Sequence, residues 1–209
     1  MQDTVKPQEM PAELKARTES AMMAQGRPKK PRPKYTGALK LLPIHYTPSA
    51  NVTDYSEPVR QATEDFIAWV WAENGNLPHD PREGWAFSHC QVSETPLNLF
   101  VVDDWLVEKK FFPGAAIFNS RITNTHINPG KNEQISVHEG CMSFPFKGLK
   151  KVMRWPILEV EYDYVKDGKL EHAKEIVAGL KAQIYQHAID HAMGENIYYN
   201  KNRSKKMYF

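Results

Sequence analysis

Apolar and polar positions follow two different periods along this chain, and the change of period separates its elements. In "ILEVEYDYV" the alternation is strict: Leu158, Val160, Tyr162 and Tyr164 fall on one face, Glu159, Glu161 and Asp163 on the other. That pattern predicts a strand with one buried side. Asp167-Gly168 supplies a hairpin turn into "KLEHAKEIV", a second strand. From about Ala178 the period becomes helical. Leu180, Ile184, His187 and His191 follow at steps of four, three and four, so they share one stripe, and Gly194 is the stop signal.

Earlier in the chain, "SEPVRQATEDFIAWVWAENG" predicts a helix, with Ser56 as N-cap, Pro58 in the first turn and Gly75 beyond the end. "LNLFVVDDW" reads as a strand, and "AAIFNSRITNTHINPG" as further β-structure running to a Pro-Gly turn. The outline is α+β: an early helix, several antiparallel strands, and a C-terminal helix that carries histidines. No internal repeat interrupts it.

The folded part starts near "ALKLLPIHY". Residues 1–36 have a different character: "GRPKKPRPKY" packs five basic side chains and three prolines into ten positions and cannot bury a core. We expect a mobile basic arm over 1–36, preceded at most by a short helix in "MPAELKARTESAMMAQG", a folded domain over 37–200, and a basic tail over 201–209. Arm and tail are either solvated charge or a contact to a polyanion such as the ribosome. The length of 209 residues, 41% of them hydrophobic, suits one domain, and a net charge of +2 does not by itself argue for nucleic acid. Two cysteines make no disulfide framework, which favours a reducing compartment. No apolar run approaches the roughly 18 residues of a membrane span. The expectation is a soluble, cytoplasmic monomer with no membrane partner.

Candidate chemistry sits in "YQHAIDHAMG". His187 and His191 are four residues apart on a helix, so both rings can face one metal ion. Such pairs also arise by chance. A third soft ligand, Cys141 in "HEGCMSFP", completes a thiolate-plus-two-imidazole set that leaves a tetrahedral metal one open position.

With these three residues in view, the sequence resembles peptide deformylases. "EGCMS", Glu139 to Ser143, is similar to that family's EGCxS motif, and "QHAIDH", Gln186 to His191, to its QHExDH motif. "EGWAFSHCQV" is a looser match to the family's GxGxAAPQ run: Gly84 and Ala86 fit and Gln91 closes it, with two extra residues between and the first glycine missing. The resemblance covers about residues 38–200. It implies a divalent metal held by Cys141, His187 and His191, ferrous iron natively, with zinc, nickel or cobalt able to replace it. It also implies hydrolysis of the N-formyl group from the initiator methionine of nascent polypeptides, by a water that the cation acidifies. The oxyanion donors implied are the Gln91 side-chain amide and the backbone N–H of Met142.

Around these, Asp190 is expected to accept the other N–H of a ligating histidine, unless it is simply solvated. Glu139 is expected to make a structural contact, to an unidentified arginine. Leu180 and Ile184 either line a pocket for the methionine side chain or pack the core. Glu83 and Gly84 would offer backbone groups to an extended peptide, and Trp85 would wall the pocket.

One position departs from the family. Ala188 stands where the resemblance implies the glutamate that accepts a proton from the attacking water. Three readings remain open: a deformylase whose base has been removed, a protein that binds formyl-methionyl or methionyl peptides without cleaving them, or a neighbour, His89 or His138, serving as base.

Overall fold

The computed structural model describes residues 37–42, 48–73, 86–102, 116–127, 133–144 and 147–198, the side chains of 71–73 excepted. The expected arm and tail, Gly75, the Pro129-Gly130 turn, and Glu83, Gly84 and Trp85 lie outside them.

In chain order the elements are α1 (Glu57–Glu73), β1 (Ala86–Ser88), a 3-10 turn (His89–Gln91), β2 (Leu99–Val102), β3 (Ala116–Asn124), β4 (Ile135–Glu139), β5 (Lys150–Arg154), β6 (Ile157–Lys166), β7 (Lys169–Ala178) and α2 (Gly179–Ala192). Five strands form one sheet in the order β1-β2-β3-β6-β7, and β4 pairs with β5 in a second. Every pairing is antiparallel. The predicted α+β outline therefore holds.

Each face of the larger sheet is covered by one helix. On one side α2 brings Ala182, Ile184, Tyr185, Ala188 and Ile189 against Phe100, Val102, Ile117, Ile122, Leu158, Val160 and Val177. On the other, Phe66, Trp69 and Val70 of α1 pack on Phe87, Leu99, Val101 and Phe118. Strand β2 lies between the two layers, and all four of its residues are buried. Its unbroken apolar run follows, because neither face meets water.

The alternation of β6 is realised as predicted: Leu158 and Val160 are fully buried, and Glu159 and Glu161 face Lys174 and Arg121. Asp167 (φ 49°) and Gly168 (φ 74°) form the two-residue turn to β7, where both central residues must be left-handed, as an Asp-Gly pair tolerates. Strand β3 carries a bulge that the sequence does not announce. Between the pairs Phe118↔Asp163 and Arg121↔Glu161 it holds one residue more than β6. The extra residue reverses the parity, so Ile117 and Ile122 both reach the α2 side although they are five positions apart. Asn119 takes the left-handed conformation there, at φ 52°. Its side chain accepts from the Val52 N–H at 2.7 Å and donates to the Val52 carbonyl, tying the segment before α1 to the sheet.

Candidate metal centre

Three elements converge beside α2. The helix supplies His187 and His191, β4 ends at Glu139, and the turn after it carries Cys141. That turn is closed by the Phe144 N–H donating to the Cys141 carbonyl at 2.8 Å. It is seated by Phe144, Val152 and Ile197, which surround the cysteine. The Tyr198 hydroxyl reaches across to the Gly148 carbonyl, so the chain after α2 covers this hairpin.

The ligand atoms of Cys141, His187 and His191 lie within 4.8 Å of one another. Cys141 Sγ and His191 Nε2 are 3.2 Å apart, and the two imidazole rings meet at 4.9 Å between centroids. A tetrahedral ion with ordinary metal–sulfur and metal–nitrogen bonds needs roughly 3.5 Å between those two donors. The chemistry and the spacing of the donor set therefore fit one divalent cation.

The orientation of His187 is fixed from behind. Its Nδ1 lies 2.9 Å from Glu139 Oε2, which leaves Nε2 to point at the sulfur side. Glu139 is in turn held by Arg154 in a two-pronged pair, at 2.6 and 2.7 Å, and the remaining Arg154 nitrogen donates to Asp190 at 2.7 Å. All three side chains of that triad are 3–4% exposed. The acceptor expected at Asp190 is thus found, for His187, at Glu139, and Asp190 joins the same network through Arg154. The arginine that Glu139 was expected to meet is Arg154.

Electrostatics follow from this arrangement. Burial alone would raise the Glu139 carboxyl, yet the Arg154 and His187 bonds outweigh it and hold the group at about 2. Burial would likewise lower His187, but Cys141 and Glu139 raise it to about 10. Burial disfavours the Cys141 thiolate, and the imidazoles beside it reverse that and push the thiol well below its ordinary value. Both shifts favour a thiolate beside an imidazolium, a pair that a divalent cation would replace by displacing a proton.

Gln186, the first residue of the histidine motif, is used for scaffolding. Its amide accepts the Trp155 N–H and donates to the Trp155 carbonyl, both at 2.9 Å, so it acts as a strand partner for the residue after Arg154. Gln91 lies at the end of the 3-10 turn, where its Nε2 donates to Ser143 Oγ at 3.0 Å. The loosely matched segment therefore does reach the cysteine turn. Met142, beside Cys141, is half-buried against the α1-side core. Ile184 is buried in the α2-side core, and Leu180, partly buried, packs against it.

Ala188 is 1% exposed and part of that same core. Neither histidine proposed as a substitute base is placed to serve. His89 is buried, its Nδ1 accepts the Leu97 N–H at 3.0 Å, its ring meets Phe66 edge-on, and burial lowers it to about 4. His138 is exposed on β4, one residue from Glu139, so the pleat turns it to the opposite face. Cys90, also buried, donates to the His191 carbonyl at 3.7 Å. Burial pushes its thiol up to about 12.

A sequence profile described as polypeptide deformylase matches residues 42–207. The chain belongs to that family. The match runs into 201–207, part of the stretch read as a separate tail. Peptide deformylase 1 of Bifidobacterium longum is 37% identical over 75 residues, which is 35% of this chain and 32% of that protein. The aligned part thus spans about a third of the relative. Solved structures agree in fold. The peptide deformylase of Synechococcus elongatus, in complex with actinonin, superposes with a TM-score of 0.59 at 22% identity, covering 78% of this chain and 82% of the other. That of Thermotoga maritima gives 0.57 at 23%, covering 78% and 95%. A probable deformylase of Synechococcus phage S-SSM7 gives 0.57 at 24%, covering 77% and 97%.

Proposed function

We propose that this deformylase-family chain is a divalent-metal amidase for N-formyl-methionyl peptides whose proton-transfer step is impaired at Ala188. The observation that carries the proposal is the Cys141–His187–His191 group, with His187 oriented by Glu139.

In this reading Cys141, His187 and His191 hold the ion. When bound, the ion would polarise a carbonyl oxygen and make water a better nucleophile at neutral pH. The chain's own part is to place donors and exclude water. The Gln91 amide, tied to the cysteine turn through Ser143, and the Met142 N–H, part of that turn, would donate to an oxygen gaining charge at the formyl carbon. Ala188 has no group to take or return a proton. Glu139 does not replace it, because a carboxyl held at about 2 is a weak base and is committed to Arg154 and His187.

Leu180 and Ile184 would form the floor beneath the methionine side chain, and Glu83, Gly84 and Trp85 would bind the peptide backbone. Iron is the proposed native metal and the cytoplasm the proposed compartment, where formylated nascent chains are made. The basic termini would approach the ribosome.

The test compares the protein as it stands with Ala188→Glu, both reconstituted with nickel or cobalt, for formate release from formyl-Met-Ala-Ser. A gain of roughly 10²–10⁴-fold is expected, the usual worth of a positioned general base. No gain with the ion bound in full would reject the amidase reading in favour of a peptide-binding role.

A further inference from the structure

The Gln91 side chain is held at both ends by partners whose chemistry leaves no choice of orientation. The Ser88 peptide N–H points at it over 2.7 Å, and a peptide N–H can only donate, so the atom facing it is the carbonyl oxygen Oε1. That places Nε2 at the other end, 3.0 Å from Ser143 Oγ, and makes the Ser143 hydroxyl an acceptor. Gln91 is 6% exposed, so water does not easily stand in for either partner. Ser143 lies two residues beyond Cys141 in the same closed turn.

The terminal torsion of a glutamine is broad, and an amide fixed at its oxygen alone can still swing its NH₂ group. The second anchor, Ser143, 52 positions from Gln91, removes that freedom. Of the two Nε2 hydrogens, Ser143 takes one. The other, about 120° away in the amide plane, meets no acceptor among the described residues.

Resting on the function proposed above, we propose that Ser143 is a positioning residue for Gln91. Its hydroxyl, together with the Ser88 N–H, holds the amide so that its second hydrogen meets the formyl oxygen, and so sets the preference for formylated over free amino termini. A donor oriented in advance spends nothing on reorganisation when charge develops, which is why the anchor matters more than the single bond it makes. Ala188 takes no part in this, so binding reports on it without turnover.

The experiment uses the zinc-loaded full chain and titrates formyl-Met-Ala-Ser and Met-Ala-Ser calorimetrically. Ser143→Ala is expected to lower the ratio of the two affinities about five- to tenfold, the scale of one hydrogen bond. Met-Ala-Ser affinity and zinc content should be unchanged, and Ser143→Thr, which keeps the hydroxyl, should restore the ratio. An unchanged ratio, or equal weakening of both peptides, overturns the proposal. If neither peptide binds the parent protein, the function proposed above fails by itself, and the anchor is then judged from the NMR signals of the Gln91 NH₂ group, assigned by their loss in Gln91→Glu. Two signals whose wide separation shrinks in Ser143→Ala towards that of a free glutamine amide uphold the anchor. Signals that do not respond to Ser143→Ala overturn it.

Discussion

Glu139 and His187 meet at 2.9 Å, and the same carboxylate is gripped from behind by both prongs of Arg154. One side chain therefore orients a candidate ligand and neutralises a buried cation. Glu139→Gln keeps the shape but leaves the Arg154 charge with Asp190 alone. Removing one member of a buried pair costs about 3–5 kcal/mol, and loss of a ligand's supporting acceptor costs roughly 10–100-fold in metal affinity. Urea denaturation and zinc titration of the variant should show both losses. Asp190→Asn, which leaves the two-pronged Glu139–Arg154 pair in place, should lose less in each measurement.

The depressed Glu139 carboxyl also predicts an acid limb. Its folded value of about 2 lies below the ordinary 4.5, so the group binds fewer protons folded than unfolded. Its contribution is complete above about pH 4.5 and lost as pH falls towards 2. The shift corresponds to about 3 kcal/mol. Unfolding free energy measured from pH 7 down to 3 should decline through that window, and Glu139→Gln should flatten the decline.

His187 works in the opposite direction. Raised to about 10, it keeps its proton through neutral pH in the ion-free centre, beside a Cys141 thiol that the imidazoles push down. Binding an ion must then expel the His187 proton. We expect apparent zinc affinity to rise up to about tenfold per pH unit above neutrality and to level off near pH 10. Calorimetry in two buffers of different ionisation enthalpy should register the released proton directly. Affinity independent of pH over 6–9 would contradict the assignment of a protonated His187.

The sequence made several of these elements legible for local reasons. The β6–β7 hairpin declares itself through strict alternation and an Asp-Gly pair that accepts two left-handed residues. The histidine stripe of α2 follows from its period, and Cys141 stands out by its place in the EGC segment, where the preceding glycine suggests a turning backbone. Other features depend on distant partners. The Asn119 bulge sits in an ordinary run of β-formers, and its left-handed backbone is held by Val52, 67 positions away. Arg154 ends the basic run "KKVMR", which looks like surface charge. Only alternation with the buried Val152 hints that it turns inward. Asp190 looked like the histidine acceptor because it shares a helix with both rings, yet Glu139, reached through strand pairing, is the partner of His187.

Gln186 offers a separation of fold from chemistry. Its amide satisfies both polar groups of the Trp155 peptide and a third bond to Ala182. Gln186→Leu preserves volume and strands an N–H and a carbonyl, at a cost of about 2–4 kcal/mol. The loss belongs to the α2–β5 seam rather than to the ligands. Unfolding free energy should therefore fall while the zinc stoichiometry of the folded protein stays at one.

Ala188 is where stability and chemistry are expected to pull apart. The side chain is 1% exposed and belongs to the α2-side apolar core, on a helix turn between two candidate ligands. A glutamate there enters a largely apolar wall, where a carboxyl without a partner costs about 1–3 kcal/mol and titrates upward. In the ion-free protein, Ala188→Glu should therefore be less stable than the parent, most of all above neutrality, where its charge has to form. A cation beside it favours the ionised carboxylate, so zinc should raise the melting temperature of the variant more than that of the parent. Thermal melts of both proteins, with and without zinc, at pH 6 and 8, measure this difference. An equal zinc-induced shift in the two proteins would mean that the position 188 side chain does not sense the ion, and a general-base role for a carboxylate at that site would then have no support.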